Sequence, residues 1–118
     1  MKVLIVDDEQ LVRWFLERAL SKWGHEVVSV SSPSEAMAQL KAKEFDVLFT
    51  DLRMPEGNGT IIVKEVFDNP QKKLKVVVCS AFITADLAAE FSKKGILMLK
   101  KPFKLAELEH TLKLCSED

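Results

Sequence analysis

The chain has 118 residues, of which 47% are hydrophobic and 30% charged, with a formal net charge of −1 at pH 7. This length predicts one domain with a sizeable core, and the balanced charge argues against a general nucleic-acid or membrane-surface binder. The apolar run from Val3 stops at Asp7, so neither a signal peptide nor a membrane span is expected. Cys79 and Cys115 give no disulfide framework and lie in apolar patterns, which predicts buried thiols and a cytoplasmic location.

The chain begins with a predicted strand, Lys2–Val6, followed by a helix whose apolar residues recur at helical spacing. These residues are Val12, Phe15, Leu16, Ala19, Leu20 and Trp23. Gly24 is predicted to end the helix. A second strand, Glu26–Val30, leads to Ser32, a candidate N-cap placed before a proline that suits a first helical turn. The residues expected to face the core along this second helix are Ala36, Met37 and Leu40.

A third strand is predicted at the apolar run Val47–Phe49, and it delivers Asp51 to its carboxyl end. Pro55 breaks the pattern there, since it cannot donate to a strand ladder. A loop at Met54–Gly59 and a helix over roughly 60–68 are expected next. The remaining predicted elements are a strand at Val76–Cys79, a helix at Ala85–Lys93 ended by Gly95, a strand at Ile96–Leu99, and a last helix with Leu105, Leu108, Leu112 and Cys115 at helical spacing.

Strands that alternate with helices predict parallel pairing with right-handed crossovers. The expected fold is therefore α/β, a doubly wound, flavodoxin-like sheet of five parallel strands in the order 2-1-3-4-5 with helices on both faces. In that order the first and third strands are neighbours, so Asp7, Asp8 and Asp51 converge at one edge of the sheet. Ser80 follows the next strand across, and Lys101 follows the one after that.

Three carboxylates packed together repel one another, so they must share protons or be joined by a cation. An all-oxygen set without His or Cys favours a hard ion such as Mg²⁺. The ammonium of Lys101 and the hydroxyl of Ser80 complete a site for a tetrahedral dianion. One carboxylate could itself be the nucleophile, giving an acyl phosphate, while the cations neutralise charge on the transferring phosphoryl group.

The chain resembles the receiver (response-regulator) domain of two-component signalling, over essentially its whole length. The motifs that carry the resemblance are Asp7-Asp8, Asp51 with Met54-Pro55 and Gly59, Ser80-Ala81, and Lys101-Pro102-Phe103. The resemblance implies a chemotaxis-type receiver spanning 1–118, with no effector module in this chain. It implies a phosphorylation-dependent switch rather than an enzyme, although a receiver promotes its own aspartyl phosphorylation.

The resemblance also assigns roles at the site. Asp51 is the phosphoacceptor, and Mg²⁺ is held directly by Asp8, Asp51 and the backbone carbonyl of Arg53, while Asp7 acts through water. Lys101 pairs with the phosphoryl group.

On activation, by the same resemblance, Ser80 moves to hydrogen-bond the phosphoryl group. The implied donor is a phosphohistidine on a sensor histidine kinase or histidine phosphotransfer protein. The implied receiver is a monomer or a phosphorylation-dependent homodimer that controls an output not readable from this sequence. It contacts neither nucleic acid nor membrane directly.

Three positions bear on how this receiver would behave. The family usually has an aromatic residue three positions before the lysine, and here that position is Met98, so activation must spread without the aromatic rotamer. Arg53 and Phe82 stand two residues after the acceptor and the hydroxyl residue, where they flank the path of attacking water. Neither side chain can accept a proton from water, which predicts slow autodephosphorylation. The alternative is that Phe82 points into the apolar layer under the following helix.

Leu11 and Trp14 lie off the core stripe of the first helix and close to the site edge. They are candidate docking residues for a phosphohistidine partner, together with Pro102 and Phe103. The alternative for Leu11 and Trp14 is packing on a neighbouring helix or isolated exposure.

Simpler structural roles remain for the site residues. Asp51 could be a surface acid, Asp7 and Asp8 could cap the first helix, Ser80 could be a strand-end hydroxyl, and Lys101 could be solvated. Two other functions also remain: a degenerate receiver that binds partners without phosphorylation, and a phosphohydrolase that uses an aspartyl phosphate. The second would need an acid two residues after the nucleophile, where this chain has an arginine.

Overall fold

The computed structural model describes residues 1–54, 57–58 and 74–116. The helix predicted over 60–68 lies outside the described residues, as do Pro55 and Gly59 of the predicted loop. All four other predicted helices and all five predicted strands fall within them.

A parallel sheet of five strands forms the centre of the molecule. The strands are β1 (Lys2–Val6), β2 (Glu26–Val30), β3 (Val47–Thr50), β4 (Lys75–Ser80) and β5 (Leu97–Lys100). Their spatial order is β2-β1-β3-β4-β5, which confirms the predicted 2-1-3-4-5 arrangement. The register pairs Val6 with Thr50 and Ser80 with Lys100, so the residues that follow these strands meet at one edge of the sheet.

Four helices are described: α1 (Gln10–Lys22), α2 (Pro33–Ala42), α3 (Ala85–Lys93) and α4 (Leu105–Ser116). The Ser32 hydroxyl caps α2 by accepting a hydrogen bond from the Glu35 amide at 3.4 Å, as the sequence predicted. Gly24 (φ 88°) and Gly95 (φ 73°) follow α1 and α3 in the left-handed region. An L-residue with a β-carbon is strained there, so glycine lets the chain leave each helix at that point.

The core has two layers because successive residues of a buried strand point to opposite faces. Leu4 and Val6 of β1 join one layer, whereas Val3 and Ile5 join the other. The first layer is completed by helices α2 and α3, and the second by α1 and α4. Helices therefore cover both faces of the sheet, as predicted. Among the described helices, none combines the length and the hydropathy needed to cross a membrane.

Several local predictions need correction. Phe15 and Leu105 belong to the apolar sets predicted from helical spacing, but both side chains are exposed. Helical periodicity identifies the side of a helix that faces the sheet, but not which residues on that side become fully covered. Phe15 instead packs edge-to-face on Phe103, with ring centroids 5.7 Å apart. Where a loop was predicted, Arg53–Met54 pairs antiparallel with Gly57–Asn58 in a two-residue ladder.

Both cysteines are buried, which confirms the prediction of buried thiols. Cys79 lies in β4 and Cys115 in α4, within the same core layer. Burial raises the pKa of Cys115 to about 11 and raises that of Cys79 as well. Neither thiol is therefore a candidate nucleophile at neutral pH, since the thiolate is the reactive form.

Candidate functional site

Asp7 and Asp51 occupy the carboxyl edge of the sheet, each one residue beyond the end of its strand. The Asp7 amide donates to the Val30 carbonyl at 3.2 Å, and the Asp51 amide donates to the Val6 carbonyl at 3.1 Å. Because these bonds continue the strand ladders, they hold the backbone of both residues at the edge of the sheet. Both residues are buried, so the predicted convergence of the two strand ends is confirmed.

Lys101 brings its ammonium group into the same site from the end of β5. Its amide donates to the Ser80 carbonyl at 3.0 Å. Its Nζ atom lies 2.7 Å from Asp7 Oδ2 and 2.9 Å from Asp51 Oδ2. It also lies 2.9 Å from Glu9 Oε1, a contact that was not predicted from the sequence.

The electrostatics of the cluster reflect burial and pairing together. Burial raises the pKa of Asp7, and the neighbouring Asp51 charge adds to this, whereas hydrogen bonds from Lys101 and from the Glu9 amide act in the opposite direction. Burial by itself would lower the pKa of Lys101, but its hydrogen bonds to the three carboxylates raise that pKa above the ordinary value. The ammonium is therefore charged at neutral pH and compensates part of the acidic charge.

The acidic cluster also suits a hard cation. Asp7, Asp8, Glu9 and Asp51 each offer one carboxylate oxygen, and these oxygens lie within 4.8 Å of one another. Asp8 and Glu9 are exposed, so a hydrated ion can reach the cluster from solvent. Oxygen-only ligands, some open to water, match what Mg²⁺ uses in proteins. The residues present therefore fit Mg²⁺. Glu9 was not among the site residues predicted from the sequence, although its position directly after Asp7-Asp8 is a signal that could have identified it.

Ser80 lies at the end of β4 on the same edge and is buried. Its Oγ accepts a hydrogen bond from the Phe82 amide at 3.2 Å. The Phe82 side chain is 59% exposed, so the alternative that it points into the core layer is wrong. Met98 is partly buried and packs against the core layer that contains α2 and α3.

A groove beside the site contains most of the candidate docking residues. It has a volume of about 380 Å³, and Leu11, Phe15, Pro102 and Phe103 are among the residues that line it. Glu9 and Lys101 line it as well, so the groove opens onto the acidic cluster. Leu11 is 75% exposed and Trp14 is 51% exposed. This exposure argues against extensive packing of Leu11 or Trp14 on another helix in the described part of the chain.

Known proteins share this sequence pattern and this fold. A family model described as the response regulator receiver domain matches residues 3–113. The DNA-binding transcriptional regulator NtrC of Salmonella typhimurium is 34% identical over 106 residues, which are 89% of this chain and 22% of that protein. The transcriptional regulatory protein ZraR of the same species is 34% identical over 112 residues, or 93% of this chain and 25% of that protein. The chain thus spans about a quarter of these relatives.

Solved structures agree in fold. The chemotaxis protein CheY4 of Vibrio cholerae superimposes with a TM-score of 0.86 at 30% identity, covering 97% of both chains. The response regulator TrrA of Thermotoga maritima, solved in complex with Mg²⁺ and BeF, has a TM-score of 0.82 at 23% identity and also covers 97% of both chains. The family model matches nearly the full length of the chain, and the sheet has the predicted strand order. The chain therefore belongs to the receiver domain family of two-component response regulators.

Proposed function

We propose that Asp51 of this domain accepts a phosphoryl group with Mg²⁺ and that the modification switches a downstream output. The observation that supports the proposal most directly is the position of Asp51. Its Oδ2 atom lies 2.9 Å from the Lys101 ammonium, and its carboxylate belongs to a cluster of four acids. A carboxylate placed between a cation site and an ammonium suits nucleophilic attack on phosphorus, because both neighbours offset the charge that the reaction brings in.

In this proposal Asp8, Asp51 and the backbone carbonyl of Arg53 would hold Mg²⁺, and Asp7 would act on it through water. Bound Mg²⁺ would neutralise charge on the phosphoryl oxygens. Asp51 forms a bond from a carboxylate oxygen to phosphorus while the bond from phosphorus to the donor's histidine nitrogen breaks. Lys101 then donates to a phosphoryl oxygen.

Activation in this proposal begins at Ser80. Its hydroxyl turns to donate to the phosphoryl group, so the Phe82 amide loses the acceptor that it has at 3.2 Å. The loop that follows β4 is thereby changed. Met98 follows through a rotamer change, which its unbranched thioether permits.

The proposed phosphoryl donor is a phosphohistidine of a sensor histidine kinase or a histidine phosphotransfer protein. The groove lined by Leu11, Pro102 and Phe103 opens onto Glu9 and Lys101 at the acidic cluster, so a protein seated there would hold its histidine near Asp51. Trp14, which like Leu11 is exposed on α1, is a further proposed docking residue.

The remaining parts of the proposal concern the whole protein. We propose that residues 1–118 form a single receiver domain, as a monomer or a phosphorylation-dependent homodimer in the cytoplasm, without direct contact to nucleic acid or membrane. NtrC and ZraR are regulators of transcription of which this chain covers about a quarter. A DNA-directed output would therefore belong to another domain or another protein. Phe82 and Arg53 would restrict water at the phosphoryl group, giving slow autodephosphorylation.

The experiment is phosphorylation by acetyl phosphate in the presence of Mg²⁺. Wild-type protein should be labelled, whereas Asp51→Asn should not. Asp86→Asn is a matched control, because Asp86 is an exposed acid in the first turn of α3, and it should be labelled normally. Labelling of Asp51→Asn, or full labelling in EDTA, contradicts the assignment. No labelling of the wild type by acetyl phosphate or by a phosphohistidine protein indicates a degenerate receiver instead.

A further inference from the structure

Glu9 forms the solvent-facing side of the carboxylate group around Lys101. Its Oε1 atom lies 2.9 Å from Nζ, the same distance as Asp51 Oδ2. The exposure of the partners differs sharply, because the Glu9 side chain is 58% exposed whereas that of Lys101 is 10% exposed. Asp7 and Asp51 are buried and anchored by their backbones. Of the three carboxylates, Glu9 is therefore the one that can leave the ammonium at the lowest cost.

The position of Glu9 at the start of α1 points to the same conclusion. Glu9 is the N-cap residue of α1, yet its side chain makes no capping hydrogen bond. The N-cap residues of α2 and α3, Ser32 and Thr84, both cap their helices with their side chains. The Glu9 amide donates to Asp7 Oδ1 at 2.9 Å, which fixes the backbone and leaves the side chain to turn. The carboxylate is thus directed at Lys101 instead of at the helix terminus.

A lysine ammonium has three donors, and in this structure three carboxylates surround it. A phosphoryl oxygen on Asp51 needs one of these donors. Asp7 is held in place by the sheet, and Asp51 is the residue that carries the phosphoryl group. The partner that can be exchanged for the incoming oxygen is therefore Glu9.

We propose that Glu9 is a positioning residue that occupies Lys101 in the unphosphorylated domain and yields it to the phosphoryl group. This inference rests on the proposed function and adds that the Glu9 carboxylate competes with the phosphoryl group for the Lys101 ammonium. Because the Glu9 contact stabilises the ground state and is lost in the transition state, it slows phosphoryl uptake. Glu9 sets the threshold at which a donor phosphorylates the domain.

The test compares Glu9→Gln and Glu9→Asp with wild type in the rate of labelling by acetyl phosphate at saturating Mg²⁺. Glu9→Gln removes the charge, whereas Glu9→Asp keeps it on a side chain one methylene group too short for the contact. Both variants should be labelled about two- to fivefold faster, the range expected for loss of a partly exposed ion pair. Each variant is measured at its own saturating Mg²⁺ concentration, so that a change in Mg²⁺ affinity does not enter the comparison of rates. Glu44→Gln, which changes an exposed acid outside the cluster, should match wild type.

Each other outcome overturns the inference. Faster labelling of Glu9→Gln alone, with Glu9→Asp equal to wild type, would mean that only the negative charge matters. A slower rate with a higher Mg²⁺ requirement would make Glu9 a metal ligand. Unchanged rates in both variants, in a wild type that labels at Asp51, would contradict the inference and leave the proposed function standing. A wild type that is not labelled at all contradicts the proposed function, and the inference fails with it.

Discussion

Replacing Lys101 with methionine should destabilise the metal-free domain strongly. The change keeps an unbranched apolar stem of similar length and removes the ammonium that contacts Asp7, Glu9 and Asp51. Two of those carboxylates are buried, so solvent cannot take over the role of the lysine. Leaving a buried charge without its partner is among the more costly single changes in a folded protein.

The expected loss is about 3 kcal/mol, the lower end of the ~3–5 kcal/mol found when one partner of a buried ion pair is removed. The lower end applies because Glu9 is open to water. In a domain of this size each kcal/mol lowers the Tm by about 4 °C, so the Tm should fall by about 12 °C. Mg²⁺ at about 100 times its Kd stabilises the folded state by ~2.7 kcal/mol. Because the bound cation offsets the acidic charge that Lys101 no longer compensates, the difference in Tm between variant and wild type should be smaller in Mg²⁺ than in EDTA.

The assay is thermal unfolding followed by circular dichroism, in EDTA and then in Mg²⁺. Lys94→Met is the matched control, because Lys94 forms an exposed ion pair with Glu90 at 3.2 Å and its loss should cost less than ~1 kcal/mol. Adding Asp7→Asn to Lys101→Met should restore much of the stability, since it removes one of the uncompensated charges. A Lys101→Met protein as stable as wild type in EDTA would refute the argument that the ammonium compensates this cluster.

Three further predictions follow from the same site. Asp7→Asn alone should raise the Tm in EDTA and weaken Mg²⁺ binding, because burial raises the pKa of Asp7 and so disfavours its charged form in the folded state; thermal melts showing lower stability in EDTA would contradict this. Trp14→Ala should slow phosphoryl transfer from a phosphohistidine protein but not from acetyl phosphate, and equal slowing of both would mean a structural role. Phe82→Glu combined with Arg53→Asn should shorten the half-life of the aspartyl phosphate by about tenfold, or ~1.4 kcal/mol of barrier. An unchanged half-life after donor removal would show that these positions do not control water.

Local patterns were sufficient to predict the elements of the sheet and the residues at their ends. The bounds predicted for β1, β2 and α3 match the structure, because apolar period, N-caps and glycine stops act over a few neighbouring residues. The strand order followed from the alternation of strands and helices. Asp7, Asp51 and Ser80 were located by the same argument, since parallel strands end at a common edge.

The tertiary structure alone decided that Glu9 joins Lys101 at that edge, and which apolar side chains remain exposed. Lys101 and Glu9 are 92 residues apart, so no local pattern could pair them. The exposure of Phe15 and Leu105 depends on what packs over each position, which periodicity does not encode. The partners of Lys101, like the groove beside it, depend on side-chain distances across β1, β3 and β5, and these distances exist only once the sheet has formed.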